Sequence, residues 1–184
     1  LDVAAGRRPC QNGCAACCRG AFDVSNADIR LVLEGIGGLG ADLRKQVLRR
    51  VREAARKERE AASSAPVVSV DALGEEAFDA MCDAVETSCP LLIGDACAIP
   101  YQRPQPCRMR GAVWQLADGD VLDLRCGTDD APPTNPVAFD LGAFERTAAL
   151  FDRGLELPAV GRSRTTIASG VDAALRAMRA ATQD

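Results

Sequence analysis

Cys10-Gln-Asn-Gly-Cys14-Ala-Ala-Cys17-Cys18 places four cysteines within nine residues of a 184-residue chain. Three later stretches supply four more thiols, at Cys89, at Cys97 and Cys107, and at Cys126. We expect the chain to fold around whatever these eight thiols bind, because metal binding and folding are coupled in such domains. Cys82, the ninth cysteine, falls on the apolar face of a predicted helix and is interpreted as a small buried hydrophobic residue.

Nine cysteines and no histidine restrict the chemistry of the chain. A chain of this length needs no disulfide framework, and both the odd count and the adjacent pair Cys17-Cys18 disfavour one. Without histidine there are no imidazole ligands, no Cys–His catalytic pair and no histidine general base. We therefore expect a reduced, cytoplasmic protein whose thiolates bind metal.

Charge and hydropathy exclude other classes of protein. The net charge of −4, from 22 basic and 26 acidic residues, argues against a nucleic-acid binder. No apolar run of about 20 residues could span a membrane. No signal peptide is expected, since residues 1–6 are too short and lead into Arg7 and Arg8. The expected partners are a metal ion or cluster and, beyond that, a protein partner or substrate.

Apolar periodicity predicts a first helix after Ser25, which forms a capping-box pattern with Asp28, and glycines from position 35 onward end it. A second helix is predicted over 41–62. Its inner face comprises Leu43, Val47, Leu48, Val51, Ala54, Ala55 and Ala61. Its other face is rich in arginine and lysine, either to dock an acidic partner or simply to be solvated. We favour solvation, because acidic residues lie at i,i+4 spacing to two of the basic ones.

Three further helices are predicted from the same periodicity. The third covers 73–85, the fourth begins at Asp140 and runs to about 152, and the last covers about 166–182. The inward positions are Phe78, Met81, Cys82 and Val85 in the third helix and Ile167, Val171, Leu175 and Met178 in the last.

Two β-hairpins are predicted in the middle of the chain, at Gly94-Asp95 and at Asp118-Gly119. A two-residue turn at the second site places Gly111 opposite Cys126, so that Cys107 and Cys126 should approach each other. Prolines at 100, 104 and 106 exclude regular structure between the hairpins. Metal at Cys97 and Cys107 is expected to order that loop.

These elements predict a mainly helical α+β fold with two small β-hairpins and metal-binding loops. We expect a single domain over residues 1–184, with a metal-binding core over about 10–126 and a helical C-terminal scaffold over 137–184. No internal repeat or low-complexity linker divides the chain.

Three kinds of metal centre compete for the cysteines. An iron–sulfur cluster of 4Fe–4S type is the first expectation, since several thiolates from one tight loop can each reach a different iron. Structural zinc is the alternative, although only Cys14-Ala-Ala-Cys17 forms a short zinc knuckle. Copper storage fits poorly, because the cysteines lie at turns rather than along helix faces. Radical S-adenosylmethionine chemistry is rejected, because the chain is too short and too poor in strands to form the barrel fold of the enzymes that carry it out.

The side chains of Cys17 and Cys18 are expected to diverge, which indicates two sites or one multinuclear site. Eight thiols suit two four-cysteine sites, and the partition stays open. A four-thiolate centre carries negative charge, so nearby guanidinium groups should offset it. Arg103 and Arg108 are the first candidates, followed by Arg19 and Arg110, and surface solvation is the alternative role for each.

The motifs resemble those of the YkgJ-like cysteine-cluster family. The matching stretches are the N-terminal cluster, Cys89-Pro-Leu-Leu, and Ala96-Cys97-Ala-Ile-x-Tyr-x-Arg103-Pro-x-x-Cys107-Arg108. The resemblance covers roughly residues 10–126 and implies a zinc- or iron-chelating domain with eight cysteines. The positions that match are Cys10, Cys14, Cys17, Cys18, Cys89, Cys97, Cys107 and Cys126.

Flagellin lysine N-methylase is a relative of that family, so the resemblance also implies methyl transfer from S-adenosylmethionine as an activity. No Gly-rich nucleotide-binding turn follows a strand here, which makes methyl transfer the minority hypothesis. We expect a metal-binding protein with an iron–sulfur cluster. The alternatives are a structural zinc module and a protein lysine methyltransferase acting at the cluster. Catalytic residues are not identified by the sequence.

Overall fold

The computed structural model describes residues 15–62, 67–111, 113–116, 118–124, 137–138, 140, 142–143, 146–147 and 164–182. After a 3₁₀ turn at Ala16–Cys18, the helices are α1 (Asn26–Gly37), α2 (Ala41–Ala62), α3 (Val70–Leu73), α4 (Glu75–Ala84), α5 (Gln105–Met109) and α6 (Ile167–Ala180). The strands are β1 (Asp23–Val24), β2 (Leu92–Ile93), β3 (Ala96–Cys97), β4 (Val113–Gln115), β5 (Val121–Asp123), β6 (Val137–Ala138) and β7 (Thr165–Thr166). The mainly helical α+β class is therefore confirmed.

The strands form small sheets at the ends of the helices. β1 pairs antiparallel with β7, β2 with β3, and β4 lies between antiparallel β5 and parallel β6. The two predicted hairpins are β2–β3 and β4–β5. The β2–β3 turn contains Gly94 at a φ of 58°, which glycine adopts without strain. In the part of the chain that the model describes, no helix is long and apolar enough to cross a membrane.

The start of α1 confirms the predicted capping box. Asp28 N–H donates to Ser25 Oγ at 3.2 Å, and Ser25 N–H donates to Asp28 Oδ2 at 3.2 Å. The other oxygen of Asp28 accepts from the backbone N–H of Gln105 at 2.7 Å, across 77 residues. The Asp28 carboxylate thus takes part in the N-terminal cap of α1. It also holds the first residue of α5, the helix that contains Cys107.

The core lies where α6 packs against α1 and α2. The first eight residues of α6, 167–174, are all buried. Val47 and Val51 from α2 and Ile29 from α1 are fully buried in the same apolar cluster as Val171. Burial of side chains of this size contributes about 1.5–3 kcal/mol each, so this junction contributes substantially to stability. The last helix is therefore central to the core.

Both long helices begin and end close to the predicted positions, but two predicted inward residues face solvent. α2 spans the predicted 41–62, yet Ala61 is exposed and Ala62 packs against the apolar cluster instead. Met178 is 61% exposed and lies at the edge of an open groove beside Arg30 and Glu34 of α1.

The helix predicted over 73–85 is present as α4, and a one-turn helix, α3, that the sequence analysis did not predict precedes it. Gly74 adopts a φ of 80° between α3 and α4, and Ser69 caps α3 by accepting from Ala72 N–H at 3.2 Å. Phe78 and Met81 are buried as predicted, and Cys82 packs partly buried beside them.

The proline-rich loop contains α5, which the sequence analysis excluded. Pro106 lies in the first turn of this helix, where its missing N–H breaks no helical hydrogen bond. The prediction of no regular structure was wrong for this reason.

The second hairpin has a register one residue away from the predicted one. Val113 pairs with Asp123, and Gly111 N–H donates to Leu124 O at 2.8 Å. The turn therefore has three residues, with Gly119 at a φ of 92°, a common alternative to the two-residue turn. The predicted pairing of Gly111 with Cys126 involves a residue outside the described part of the chain.

The helix predicted from Asp140 falls largely outside the described residues. Asp140 does cap it, since Ala143 N–H donates to Asp140 Oδ1 at 2.7 Å. The apolar residues that recur at helical spacing in this segment, Leu141, Phe144, Ala148 and Phe151, lie outside the described positions.

Glu58 is a buried carboxyl group in the core that the sequence analysis missed. It is 2% exposed and accepts a hydrogen bond from the hydroxyl of Thr166, at the first turn of α6. Burial raises its pKa from 4.5 to about 7, against the opposing effects of the hydrogen bonds from Thr166 and Ser169. The folded protein therefore holds this proton more tightly than the unfolded chain does.

Replacing Glu58 by glutamine is expected to change how stability depends on pH. The native state favours the protonated carboxyl, so wild type loses this contribution as the pH rises from 4.5 to about 7. Relative to wild type, Glu58→Gln should gain roughly 3 kcal/mol of unfolding free energy over that range. Urea denaturation at several pH values measures the gain. Glu60→Gln, at an exposed site on the same helix, is the control, and equal pH profiles for the two variants would contradict the assignment.

Candidate metal centre

The structure describes five of the eight predicted metal ligands. Cys17 and Cys18 lie in the 3₁₀ turn, Cys89 precedes the first hairpin, Cys97 ends β3, and Cys107 is in α5. No disulfide joins any of these five within the described residues, and Cys89 is the most buried of them. The other three predicted ligands, Cys10, Cys14 and Cys126, lie outside the described residues.

A short antiparallel pairing places Cys18 opposite Cys89. Arg19 and Ser88 form an isolated β-bridge. On either side of it, Cys89 N–H donates to Cys18 O at 2.7 Å and Gly20 N–H donates to Thr87 O at 2.8 Å. The N-terminal cysteines are thereby joined to a segment 71 positions later in the chain.

The first hairpin returns Cys97 toward Cys89. Leu92 N–H donates to Cys89 O at 3.0 Å, and Leu92 is the register partner of Cys97 in the β2–β3 pair. The tight turn at Gly94 is what makes this return possible across so few residues. The sequence analysis predicted the hairpin but not the resulting approach of the two thiols.

Cys107 is brought to the same place by α5. The Asp28 carboxylate holds the N-terminal end of that helix through Gln105 N–H at 2.7 Å. The Cys107 thiol interacts electrostatically with the thiols of Cys89, Cys17 and Cys97. We call the side chains of Cys17, Cys18, Cys89, Cys97 and Cys107 the thiol cluster.

The ionisation behaviour of the thiol cluster shows how closely its members interact. The pKa of Cys18 is raised, first by its hydrogen bond to Cys17, next by burial, and then by the nearby thiols. Burial raises the pKa of Cys89 to about 11 and that of Cys107 to about 12, with further increases from neighbouring thiols. Several thiolates cannot coexist here unless a cation offsets their charge.

The prediction that Cys17 and Cys18 diverge was wrong. Their side chains are hydrogen-bonded to each other. Adjacent residues point to opposite sides of an extended strand, but these two lie in a 3₁₀ turn, where successive side chains are less separated. Both thiols therefore face the same centre.

The donor atoms suit a soft metal, since they are all sulfur. Within the described ranges, no group of three or more Cys, Asp or Glu side chains is arranged to hold a metal ion. The fold thus gathers the thiols without placing those five in a closed coordination shell, and three of the predicted ligands are not among the described residues.

The two predicted charge-compensating arginines have different positions. Arg103 acts on the Cys107 thiol and opposes the increase in its pKa. Arg108 is exposed and donates to the backbone carbonyls of Arg103 and Tyr101, each at 2.8 Å. Arg108 therefore holds the loop that precedes Cys107, and Arg103 is the better candidate for offsetting charge.

Arg50 contacts the segment at Cys89, and the sequence analysis did not predict this contact. Its Nη2 lies 3.4 Å from the carbonyl oxygen of Cys89, and its charge acts to lower the pKa of that thiol. The sequence analysis grouped it with the other basic residues of α2 on a solvated face. Its spacing from buried Val47 and Ala54 is i+3 and i−4, which places it at the edge of the buried face.

No family model, curated protein or solved structure matches this chain. The resemblance to YkgJ-like proteins therefore stays an expectation that rests on the cysteine motifs.

Proposed function

We propose that this protein binds metal through a single cysteine-ligated centre, most consistent with an iron–sulfur cluster. The observation that carries the proposal is the convergence of the thiol cluster, whose five members come from four separate stretches of chain. Grouping thiols in this way raises their pKa values and costs free energy unless a cation binds them. A bound metal supplies that compensation.

An iron–sulfur cluster is preferred to zinc because the thiols outnumber the four ligands of one structural zinc site. Cys17 and Cys18 also face the same centre, and adjacent cysteines serve different metal atoms more readily than one. Structural zinc is the alternative for the same donors. The 4Fe–4S type is the form that we propose, with Cys10, Cys14 and Cys126 as additional ligands. We place the protein in the cytoplasm, where thiols stay reduced.

Methyl transfer from S-adenosylmethionine is the second candidate, from the YkgJ-like resemblance. One observation favours a reaction near the centre: a cavity of about 260 Å³ lies beside the chain that leads into Cys89. It is lined by Arg50, Glu53, Ala54, Lys57, Glu86, Thr87 and Ser88. Without such a reaction, the centre would serve stability, electron transfer or interaction with a protein partner.

Metal and acid-labile sulfide content of protein purified without oxygen tests the proposal. We expect brown protein that absorbs near 400 nm and contains about one sulfide per iron. Colourless protein with stoichiometric zinc and no sulfide would replace the cluster with the zinc alternative. Protein that binds neither metal after reconstitution would contradict the metal centre itself.

A further inference from the structure

Arg50 reaches from α2 toward the thiol cluster with part of its side chain unpaired. Its Nη2 contacts Cys89 O at 3.4 Å, at the long end of hydrogen-bond distances. Its Nε is buried and has no hydrogen-bond partner among the described residues. The guanidinium thus holds a donor inside the protein that nothing described accepts.

An unpaired buried donor is costly. Leaving one without an acceptor costs about 1–3 kcal/mol, and more when the group is charged. Lys45, Arg49 and Arg52 on the same helix avoid this cost because they are exposed. The position of Arg50 therefore calls for a negatively charged acceptor that offsets the cost.

The thiol cluster is the candidate for that acceptor. Arg50 contacts the backbone carbonyl of Cys89, one of the five members of the cluster. A neutral thiol is a weak acceptor, whereas a thiolate or a metal–thiolate centre is negatively charged and accepts N–H donors well. The acceptor that Nε lacks is thus created when the centre assembles.

The cavity beside Arg50 offers a rival explanation, in which a small anion binds there. Its lining includes two acidic side chains, Glu53 and Glu86. Glu53 lies 4.0 Å from Lys57, the other basic residue of the lining, so the charge of Lys57 is already offset by a carboxylate. The balance of charge favours the thiol cluster over a free anion.

We propose that Arg50 is a positioning residue of the metal centre, which supplies a partly buried positive charge and an unpaired Nε–H donor to its Cys89 side. This inference rests on the proposed function and adds to it a group outside the cysteine motifs. Arg50 acts through the thiolates and does not itself bind the metal.

The test compares Arg50→Gln and Arg50→Lys with Arg49→Gln, a control that removes an exposed charge from the neighbouring position. Co²⁺ serves as the probe, because its thiolate complexes absorb light and chelator competition gives their affinity. Loss of an outer-shell partner costs about 10–100-fold in metal affinity, and we expect that loss for Arg50→Gln. Arg49→Gln should stay close to wild type, and Arg50→Lys should be intermediate, since it keeps the charge without the planar donor group.

Urea unfolding of the metal-free proteins distinguishes this role from a purely structural one. Metal-free Arg50→Gln should be at least as stable as Arg49→Gln, because the variant removes an unpaired buried donor. Lower metal affinity together with unchanged metal-free stability would support the proposal.

Four results would overturn it. If wild type and Arg50→Gln bound Co²⁺ with equal affinity, the role of Arg50 would be refuted, but the proposed metal centre would not. A loss of affinity matched by an equal loss of metal-free stability would assign Arg50 to the fold alone. If the two proteins bound Co²⁺ equally well but inorganic phosphate stabilised only wild type, Arg50 would instead serve to bind an anion in the cavity. Wild type that binds no Co²⁺, zinc or iron would refute the proposed function and Arg50's role together.

Discussion

Replacing Cys107 by serine is expected to abolish stable metal binding. The Cys107 thiol interacts with the thiols of Cys89, Cys17 and Cys97, so its loss removes a group that is coupled to most of the thiol cluster. A hydroxyl is a poor ligand for the soft metals that thiolates select. We expect affinity to fall by more than about 100-fold, the upper end of what loss of an outer-shell partner costs.

The same substitution should also destabilise the metal-loaded protein. Metal present at 1,000 times its dissociation constant adds about 4 kcal/mol to the free energy of unfolding, and the variant should lose most of that. Metal content after purification and urea unfolding with and without metal measure the two effects. Cys82→Ala is the control, because Cys82 packs against Phe78 and Met81 in a different apolar cluster. Full metal content in Cys107→Ser, or its loss in Cys82→Ala, would show that the ligands are wrongly assigned.

Replacing Gly170 by alanine is expected to destabilise the core by about 1–3 kcal/mol, the usual cost of overpacking. A β-carbon at this position would lie 2.6 Å from Ile29 Cδ1 and 2.7 Å from Thr165 Cγ2. Both neighbours are fully buried, so neither can move aside cheaply. Helix propensity alone favours alanine by about 1 kcal/mol, so the sign of the change tests the packing directly.

Urea unfolding of Gly170→Ala beside Gly38→Ala makes that comparison. At Gly38, where φ is −76°, the nearest atom to an added β-carbon is 3.6 Å away, an ordinary contact. Gly38→Ala should therefore be neutral or slightly stabilising, because it restricts the unfolded chain. If Gly170→Ala proved as stable as wild type, α6 could not cross α1 as closely as the structure has it.

Local signals in the sequence predicted much of the fold correctly. The capping box of Ser25 and Asp28, the bounds of α2 and the two hairpins were all predicted from residues a few positions apart. The errors have local causes as well. The short helix α3, capped by Ser69 and ended by Gly74, was not predicted, and a three-residue turn shifted the register of the second hairpin.

The candidate centre was predicted as a set of residues but not as an arrangement. The sequence identified the cysteines, and the convergence of the five described ones depends on contacts between distant segments. The bridge of Arg19 with Ser88 and the hold of Asp28 on Gln105 are two such contacts. Neither has a signal in the spacing of cysteines along the chain.

By itself the sequence determined the helical character of this protein, its turns and the grouping of its cysteines along the chain, because each depends on residue type and short-range spacing. The tertiary structure alone decided that Glu58 is buried and that Arg50 lies beside the cysteines. Periodicity shows which face of α2 is apolar, but the neighbours that cover the edges of that face come from α6 and from the segment at Cys89. Charged residues at such an edge acquire their roles from those neighbours, since burial and nearby charge depend on what packs against them.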